Sequence, residues 1–539
     1  MEIVSFAHYG YEGEIVKIEA DLRRGIPAMD IVGLPDGAVR EARERIRAAI
    51  RNSGLEFPRD RILINLSPAD LKKEGSSFDL PMALAVLVAA EPALRDIQEE
   101  SEHTIMILGE LELSGTVRPV RGILSAVSRG LDEGIRHFIV PAQNQEEAAI
   151  RREAIIFGVS SLSEAIHQLS AIVSTSQTAD SYKRKPASQW NADRFSISPS
   201  HGYEDIKGQS KLVRALEIAA AGGHHLLVYG PPGCGKTLAL KRFPVLMPDL
   251  DDETAVTLTR IYSIAGILSE KSGNITKHSA GITVQASDML IRQAPFRMPH
   301  QNASLEGIIG GGRRCTPGEI SLAHGGVLFL DEATLFRSSV LQALRAPLET
   351  GAVTVSRAGK AVLFPARFQL LMAMNPCPCG NFGVPGRFCT CTPEMIDAHW
   401  KRLTAPLLDR IDLRIAIGIP SASELTECKT FSTQELRKEI GQARKRQWNR
   451  NTKEIGASAW LNAYLDASTI PNVCMLTPVV KDVFLRAMEV AGFSGRGEHG
   501  ILKVARTIAD LAGSEDIQED HILEAIQLRR WNTMVPDFL

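Results

Sequence analysis

The segment HHLLVYGPPGCGKTLALKRF constrains the fold more than any other part of the chain. Apolar Leu226 to Tyr229 read as a strand, Gly230, Pro231, Pro232, Gly233, Cys234, Gly235, Lys236 and Thr237 follow as a loop, and a helical pattern comes next. This satisfies G-x-x-x-x-G-K-T in the strand, loop and helix context that gives the motif its meaning. Glycines let successive backbone N–H groups converge on phosphate oxygens, Lys236 adds a point charge at the β- and γ-phosphates, and the Thr237 hydroxyl can ligate Mg2+. Around this loop, from 205 to 418, short β-rich runs alternate with helical patterns, which predicts an α/β core with a parallel sheet covered by helices.

Two further strands carry matching chemistry. GGVLFLDEA predicts a buried strand, Val327 to Leu330, ending in Asp331, which would hold Mg2+, and Glu332, which would polarise an attacking water. Phe368 to Met374 predicts a third strand that delivers Asn375 to the same edge, either to orient that water or as an Asn-Pro turn initiator. Beyond it, Arg410 stands between Asp409 and Asp412. It is either a structural ion pair with these acids or a cation inserted into a neighbouring subunit, where phosphoryl transfer gains most from a charge arriving in trans.

With 539 residues and roughly 100 to 200 per domain, about three or four domains are expected. Residues 1–170 mix β-like runs (Ile62 to Leu66, Ile105 to Leu111) with helical spacing at Ala42, Ile46, Ala49 and Ile50, which predicts an α+β domain. Residues 171–204 lack periodic apolar positions and read as a linker; residues 419–539 read as helical, opening on a Ser432/Glu435 capping box. No apolar stretch reaches the roughly 18 residues a bilayer requires. The N-terminal MEIVSFAHYG has no signal-peptide pattern, so the expected compartment is the cytoplasm, without membrane association.

A net charge of −2 gives no global polyanion signature, so any nucleic-acid surface must be local. LETGAVTVSRAGKAVL predicts a hairpin with Arg357 and Lys360 at its tip, either simply solvated or touching phosphates, and Gly310 to Gly312 lead into a second basic loop with Arg313 and Arg314. Arg444, Lys445, Arg446 and Arg450 around Trp448 form a third cluster, read as a solvated helix face or as phosphate contacts beside a stacking ring. Cys377-Pro-Cys379 and Cys389-Thr-Cys391, in a Cys-rich insert spanning 376–392, can fold four thiolates around one Zn2+ or stay free thiols.

GPPGCGKT, HGGVLFLDEA, MAMNPCPCG, LLDRIDLRI and ILKVARTIADL, in this order, resemble the AAA+ ATPases of the magnesium-chelatase-like group, and more narrowly the YifB/ComM family, over nearly the whole chain. The resemblance implies a Mg2+-dependent AAA+ ATPase with a helical lid, assembled as a homo-hexameric ring and acting on single-stranded, duplex or branched DNA as a branch-migration helicase in natural transformation. A chelatase-type motor that remodels a protein partner is the alternative. By motif, Lys236 and Thr237 carry over as Walker A, Asp331 and Glu332 as Walker B, Asn375 as sensor 1, Arg410 as arginine finger and Arg496 as sensor 2, with Arg506 a second choice. In this clade the hairpin of Arg357 and Lys360 usually points into the pore. Where the family usually has another arginine, this chain has Gly500.

The N-terminal domain resembles the Lon proteolytic domain, a fold shared with the second domain of ribosomal protein S5. LKKEGSSFDLP puts Ser77 at the serine position, but Leu124 stands where the resemblance calls for a lysine. A serine hydroxyl without an adjacent base is a poor nucleophile, so peptidase activity is not expected. Ser77 is instead expected to cap the helix over Phe78 to Leu87.

Overall fold

The computed structural model describes residues 1–91, 103–174, 195, 202–268, 289–312, 315–357, 360–384, 386–421, 424, 431–455, 460–491 and 494–529. In the N-terminal region the described strands form a mixed seven-stranded sheet in the order Ala28–Val32, Arg61–Ser67, Glu12–Arg23, Glu2–Tyr9, Thr104–Ile107, His137–Pro141, Ile155–Val159. Strand Glu12–Arg23 shows why: Val16 and Ile18 are buried while Lys17 and Glu19 face water and pair with each other, the period-two pattern of a half-covered sheet. Helix Gly37–Asn52 lays Val39, Ala42, Ile46, Ala49 and Ile50 inward, with Asp36 capping its start through the Val39 N–H at 2.8 Å. Helix Asp79–Ala90 is apolar on nearly every side and is buried accordingly. Its N-cap is Phe78 without a side-chain bond, so Ser77 is not the cap its sequence position suggests. The helix Leu162–Ser174 runs four residues past 170, so the first part of the expected linker is helical; residues 175–194 and 196–201 lie outside the described residues.

The second sheet is parallel throughout, in the order Phe296–Arg297, Val327–Leu330, Gln369–Met374, Leu226–Tyr229, Leu413–Ala416. Its inner strands are buried along their whole length, which explains their unbroken apolar sequences. The strand ending at Asn375 lies between the one feeding the phosphate loop and the one ending at Asp331.

The two regions touch. Tyr9 and Tyr11, flanking the first hairpin turn, pack on the core beneath the strands Ala352–Arg357 and Lys360–Pro365. A Cβ on Gly10 would fall 1.7 Å from Val362 Cγ1, so only glycine permits this approach. The Arg260 guanidinium lies over the Tyr11 ring at 4.2 Å.

The C-terminal region is helical: Thr433–Ile455, Pro478–Ala491, Gly495–Ala512 and Glu519–Arg529. Ser432 Oγ accepts the Glu435 N–H at 3.3 Å, and Leu436, Ile440 and Ala443 are buried as their spacing predicts. Among the described residues no helix is long and apolar enough to cross a membrane.

Asp510, 1% exposed, ties this region together by accepting from Arg450 at 2.7 and 2.9 Å and from Asn462 at 2.9 Å, with Arg506 at 3.2 Å. Removing one member of such a network strands the other charges, which typically costs about 3–5 kcal/mol. Asp510→Ala should therefore lower unfolding free energy by about that much in a urea titration, whereas Asp482→Ala, which breaks the exposed pair with Arg486, should change it by less than about 1 kcal/mol.

Candidate functional site

The phosphate loop is fixed from below. A Cβ on Gly230 would lie 2.3 Å from the Ile417 carbonyl oxygen, so the loop can leave its strand only with glycine there. Gly233 and Gly235 have φ of 82° and 91°, the left-handed region. The buried Gln209 amide donates to the Cys234 and Gly418 carbonyls, each at 3.0 Å, and clamps the loop to the end of strand Leu413–Ala416. Lys236, 8% exposed, donates to the Gly230 carbonyl at 2.6 Å, the Pro231 carbonyl at 2.8 Å and Asn375 Oδ1 at 3.2 Å. Burial pulls its pKa below the ordinary lysine value, opposed by the Cys234 sulfur, Asp331 and Glu332.

Thr237 Oγ1 donates to Asp331 Oδ1 at 3.1 Å. The sheet thus brings a hydroxyl and a carboxylate from residues 94 positions apart into one oxygen pair of the kind that suits Mg2+. Glu332 has φ 52° and ψ 52°, a left-handed conformation that a residue with a side chain rarely adopts. Its Oε2 accepts from Gln301 Nε2 at 3.0 Å. Sequence reasoning missed Gln301; its signal was a position four residues past the short strand Phe296–Arg297, at the same sheet edge. Asn375 is no free turn residue, because its side chain meets Lys236 while its carbonyl accepts from His399 Nε2 at 3.0 Å and the next carbonyl, Pro376, from Trp400 Nε1 at 3.0 Å. The Walker A and B residues and Asn375 are therefore together.

Arg410 and Arg496 are elsewhere. Both guanidiniums bond one carboxylate, Glu349, in a cleft of about 440 Å³ lined by no phosphate-loop residue. Asp409 and Asp412, which flank Arg410 in sequence, lie instead against Arg414 at 4.0 Å and Arg529 at 3.8 Å, so of the two readings of Arg410 the local ion pair with these acids does not form. Burial works to raise the Asp412 pKa, yet its bond to His224 and the Arg529 charge hold it down at about 2. Arg506 is interior and bonds the Ser514 and Glu515 carbonyls, so it is structural. A Cβ on Gly500 would fall 2.6 Å from Arg529 Nη1, so an arginine from the last described helix fills the space a side chain at 500 would need.

Cys377, Cys379, Cys389 and Cys391 converge, with all four sulfurs within 4.8 Å of one another. Three of the Sγ–Sγ distances are 3.4, 3.8 and 3.5 Å. A tetrahedral ion about 2.3 Å from each sulfur has edges of about 3.8 Å, so the donor set fits Zn2+ closely. The Cys379 thiol is pulled down to about 5, chiefly by the Asn381 N–H. The cluster also abuts the phosphate loop, since a Cβ on Gly380 would lie 2.7 Å from Pro232 Cδ.

The expected basic surfaces fare unevenly. Strands Ala352–Arg357 and Lys360–Pro365 form the predicted hairpin, with Arg357 paired to Lys360 across its end. Its tip residues 358 and 359 lie outside the described residues, as do Arg313 and Arg314. The third cluster turns inward: Arg444 bonds the Ala220 carbonyl, Arg446 the Asp510 carbonyl and Arg450 the Asp510 carboxylate. Lys445 makes no such contact, and it and Arg446 are exposed, so the four do not share one solvated face.

Family models described as "Subunit ChlI of Mg-chelatase", "Magnesium chelatase, subunit ChlI" and "Magnesium chelatase, subunit ChlI C-terminal" match residues 18–144, 202–425 and 430–529. The chain is 38% identical over 527 residues to the uncharacterised protein YifB of Escherichia coli, covering 97% of this chain and 96% of that one. It is 36% identical over 533 residues to the competence protein ComM of Haemophilus influenzae, covering 98% and 97%. It is 23% identical over 331 residues to the magnesium-chelatase 38 kDa subunit of Rhodobacter capsulatus, covering 61% and 84%.

Proposed function

The chain belongs to the YifB/ComM family of magnesium-chelatase-like AAA+ proteins, and on that premise we propose that it is an ATP-hydrolysing motor that works on DNA as a homo-hexameric ring. The observation that carries this is a division of labour. Lys236, Thr237, Asp331, Glu332 and Asn375 share one sheet edge, while Arg410 and Arg496 share Glu349 in a separate cleft. A ring supplies what a single copy lacks, because the arginines of one copy face the phosphates of the next.

In that site Thr237 and Asp331 would hold Mg2+, which neutralises phosphate charge when bound. Glu332, steadied by Gln301, accepts a proton from the attacking water, and Asn375 orients that water. Lys236 binds the β/γ oxygens, and Arg410 and Arg496 of the adjoining copy stabilise the charge that develops as the terminal phosphoryl group leaves. Motion follows at the hairpin Ala352–Pro365, whose Arg357 and Lys360 hold DNA phosphates, with Arg313 and Arg314 as a second contact. We assign the finer activity as branch migration of the ComM kind, in the cytoplasm. The N-terminal domain is a scaffold and not a peptidase, since Leu124 cannot take a proton from Ser77. The four cysteines would hold one structural Zn2+, which would cross-link the insert where Gly380 packs against Pro232.

ATP turnover should rise when single-stranded, duplex or four-way-junction DNA is added, and Arg410→Ala should cut it by about 10³-fold or more. A rate unmoved by any DNA would favour the chelatase-type motor with a protein client, and a full rate in Arg410→Ala would end the shared-site model. Replacing both Arg357 and Lys360 with alanine should lower the slope of log affinity against log salt by about 1.8 on duplex, two phosphate contacts at roughly 0.9 each. Metal analysis of purified protein should find about one zinc per chain, lost in Cys377→Ser. Equal metal content in the two proteins would leave the cluster as free thiols.

A further inference from the structure

Glu349 is the penultimate residue of the helix Arg345–Thr350, and its two carboxylate oxygens are divided between two arginines. Oε2 accepts from Arg410 Nη2 and Oε1 from Arg496 Nη2. Arg410 is only 11% exposed, its Nη1 donates to the Pro406 carbonyl at 2.6 Å, and its Nε is buried without a partner. Arg496, 49% exposed, reaches the same carboxylate from the first turn of the helix Gly495–Ala512. Two guanidiniums repel each other, and one shared carboxylate holds them together while leaving the trio with a net positive charge. Arginine presents five N–H donors in a planar fork, so each of these has donors left for a second anion.

The other side of Glu349 leads to the hairpin. Thr350 follows, then Gly351 at φ 67°, then strand Ala352–Arg357. The Ala352 N–H bonds Thr350 Oγ1 at 3.3 Å, and the Ala366 N–H bonds the Gly351 carbonyl at 2.8 Å, closing the hairpin base two residues from the carboxylate. Gly351 makes the turn into that base in a conformation where side-chain residues are strained, and an added Cβ would fall 2.8 Å from Arg367 Cγ.

We propose that Glu349 is a positioning residue that couples an anion bound by Arg410 and Arg496 to the pose of the hairpin 352–365. The anion class is a nucleoside triphosphate on the adjoining copy, so the inference rests on the shared-site model above. Its terminal phosphate carries more charge and more acceptor oxygens than one carboxylate, and it competes for the same N–H donors. As the guanidiniums turn to the phosphate, Glu349 is released, and with it the helix end and the hairpin root. Loss of the phosphate after hydrolysis returns both arginines to Glu349. DNA bound to the hairpin feeds back through the same contact, because coupling between two sites is reciprocal.

Glu349→Gln keeps the shape and removes the charge. Turnover without DNA should rise about fivefold or more, the low end of ordinary coupling between sites, with KM for ATP falling because the competing carboxylate charge is gone, and the ratio of DNA-stimulated to basal rate falling toward one. Glu349→Asp should restore part of that ratio. A readout independent of DNA is amide hydrogen exchange of residues 352–357 and 360–365 in Glu332→Gln protein, which binds ATP without turning it over. ATP should raise exchange there, and adding Glu349→Gln should raise it without ATP and abolish the ATP response. An ATP response that persists in the double variant, or a turnover that falls in Glu349→Gln with its DNA ratio intact, would overturn the coupling. A full rate in Arg410→Ala would instead remove the shared site itself, so the two failures are distinct.

Discussion

Phosphate chemistry needs several charges and dipoles at one point, and a parallel sheet supplies them because every strand delivers its carboxyl end to the same edge. The chain exploits this with strands from distant parts of the sequence, ending near Gly230, Asp331 and Asn375. Strand order matters as much as direction. With the Asn375 strand between the other two, Asn375 meets Lys236 from one side and Thr237 reaches Asp331 past it. Nothing in the loop itself would hold this register. It is set by the buried apolar strands beneath and by close approaches such as Gly230 on the Ile417 carbonyl, where one added carbon would push the sheet apart.

That edge was legible in the sequence because its signals are local: a buried strand and the residue that ends it are adjacent in the chain. The helical C-terminal region and the half-covered strands of the first sheet were readable for the same reason, through periodicity. Pairings across long separations were not. Glu349 lies 61 residues from Arg410 and 147 from Arg496, and nothing near it in the sequence marks it as their partner. Instead Asp409 and Asp412, the nearest acids, looked like the partners of Arg410, and packing sends them to Arg414, Arg529 and His224. The run Arg444 to Arg450 misleads in another way. Charge suggests a solvated face, but carbonyls at the end of the helix Ser210–Gly222 and the carboxylate of Asp510 provide partners inside, which the run itself cannot reveal. At Ser77 a helix start was legible to within two residues, which was too coarse to name its cap.

The N-terminal region is more than an appendage to the second sheet. Its first turn lies on Val362, in the same hairpin whose root carries Glu349, and the Arg260 contact fastens that turn to the helix Asp252–Ile264. Glu147 reinforces the joint. It is almost wholly buried, accepts from Ser263 of that helix, and also takes the Leu124 N–H at 3.0 Å and Asn144 at 3.2 Å. Leu124, fully buried, is thus part of the packing behind this bond between the two regions.

The hairpin is consequently held at two points, by Gly10 and Tyr11 against its second strand and by the Glu349 segment at its root. These holds differ in kind. The first is close packing, which a sub-ångström shift breaks and which has no graded alternative. The second is ionic, which is the kind of hold a competing anion could take over. On the proposed coupling, the ionic hold is the one that responds to phosphate and the packed one serves as a fulcrum. The sequence places glycine at both: Gly351 where the root must turn and Gly10 where the domain must come close.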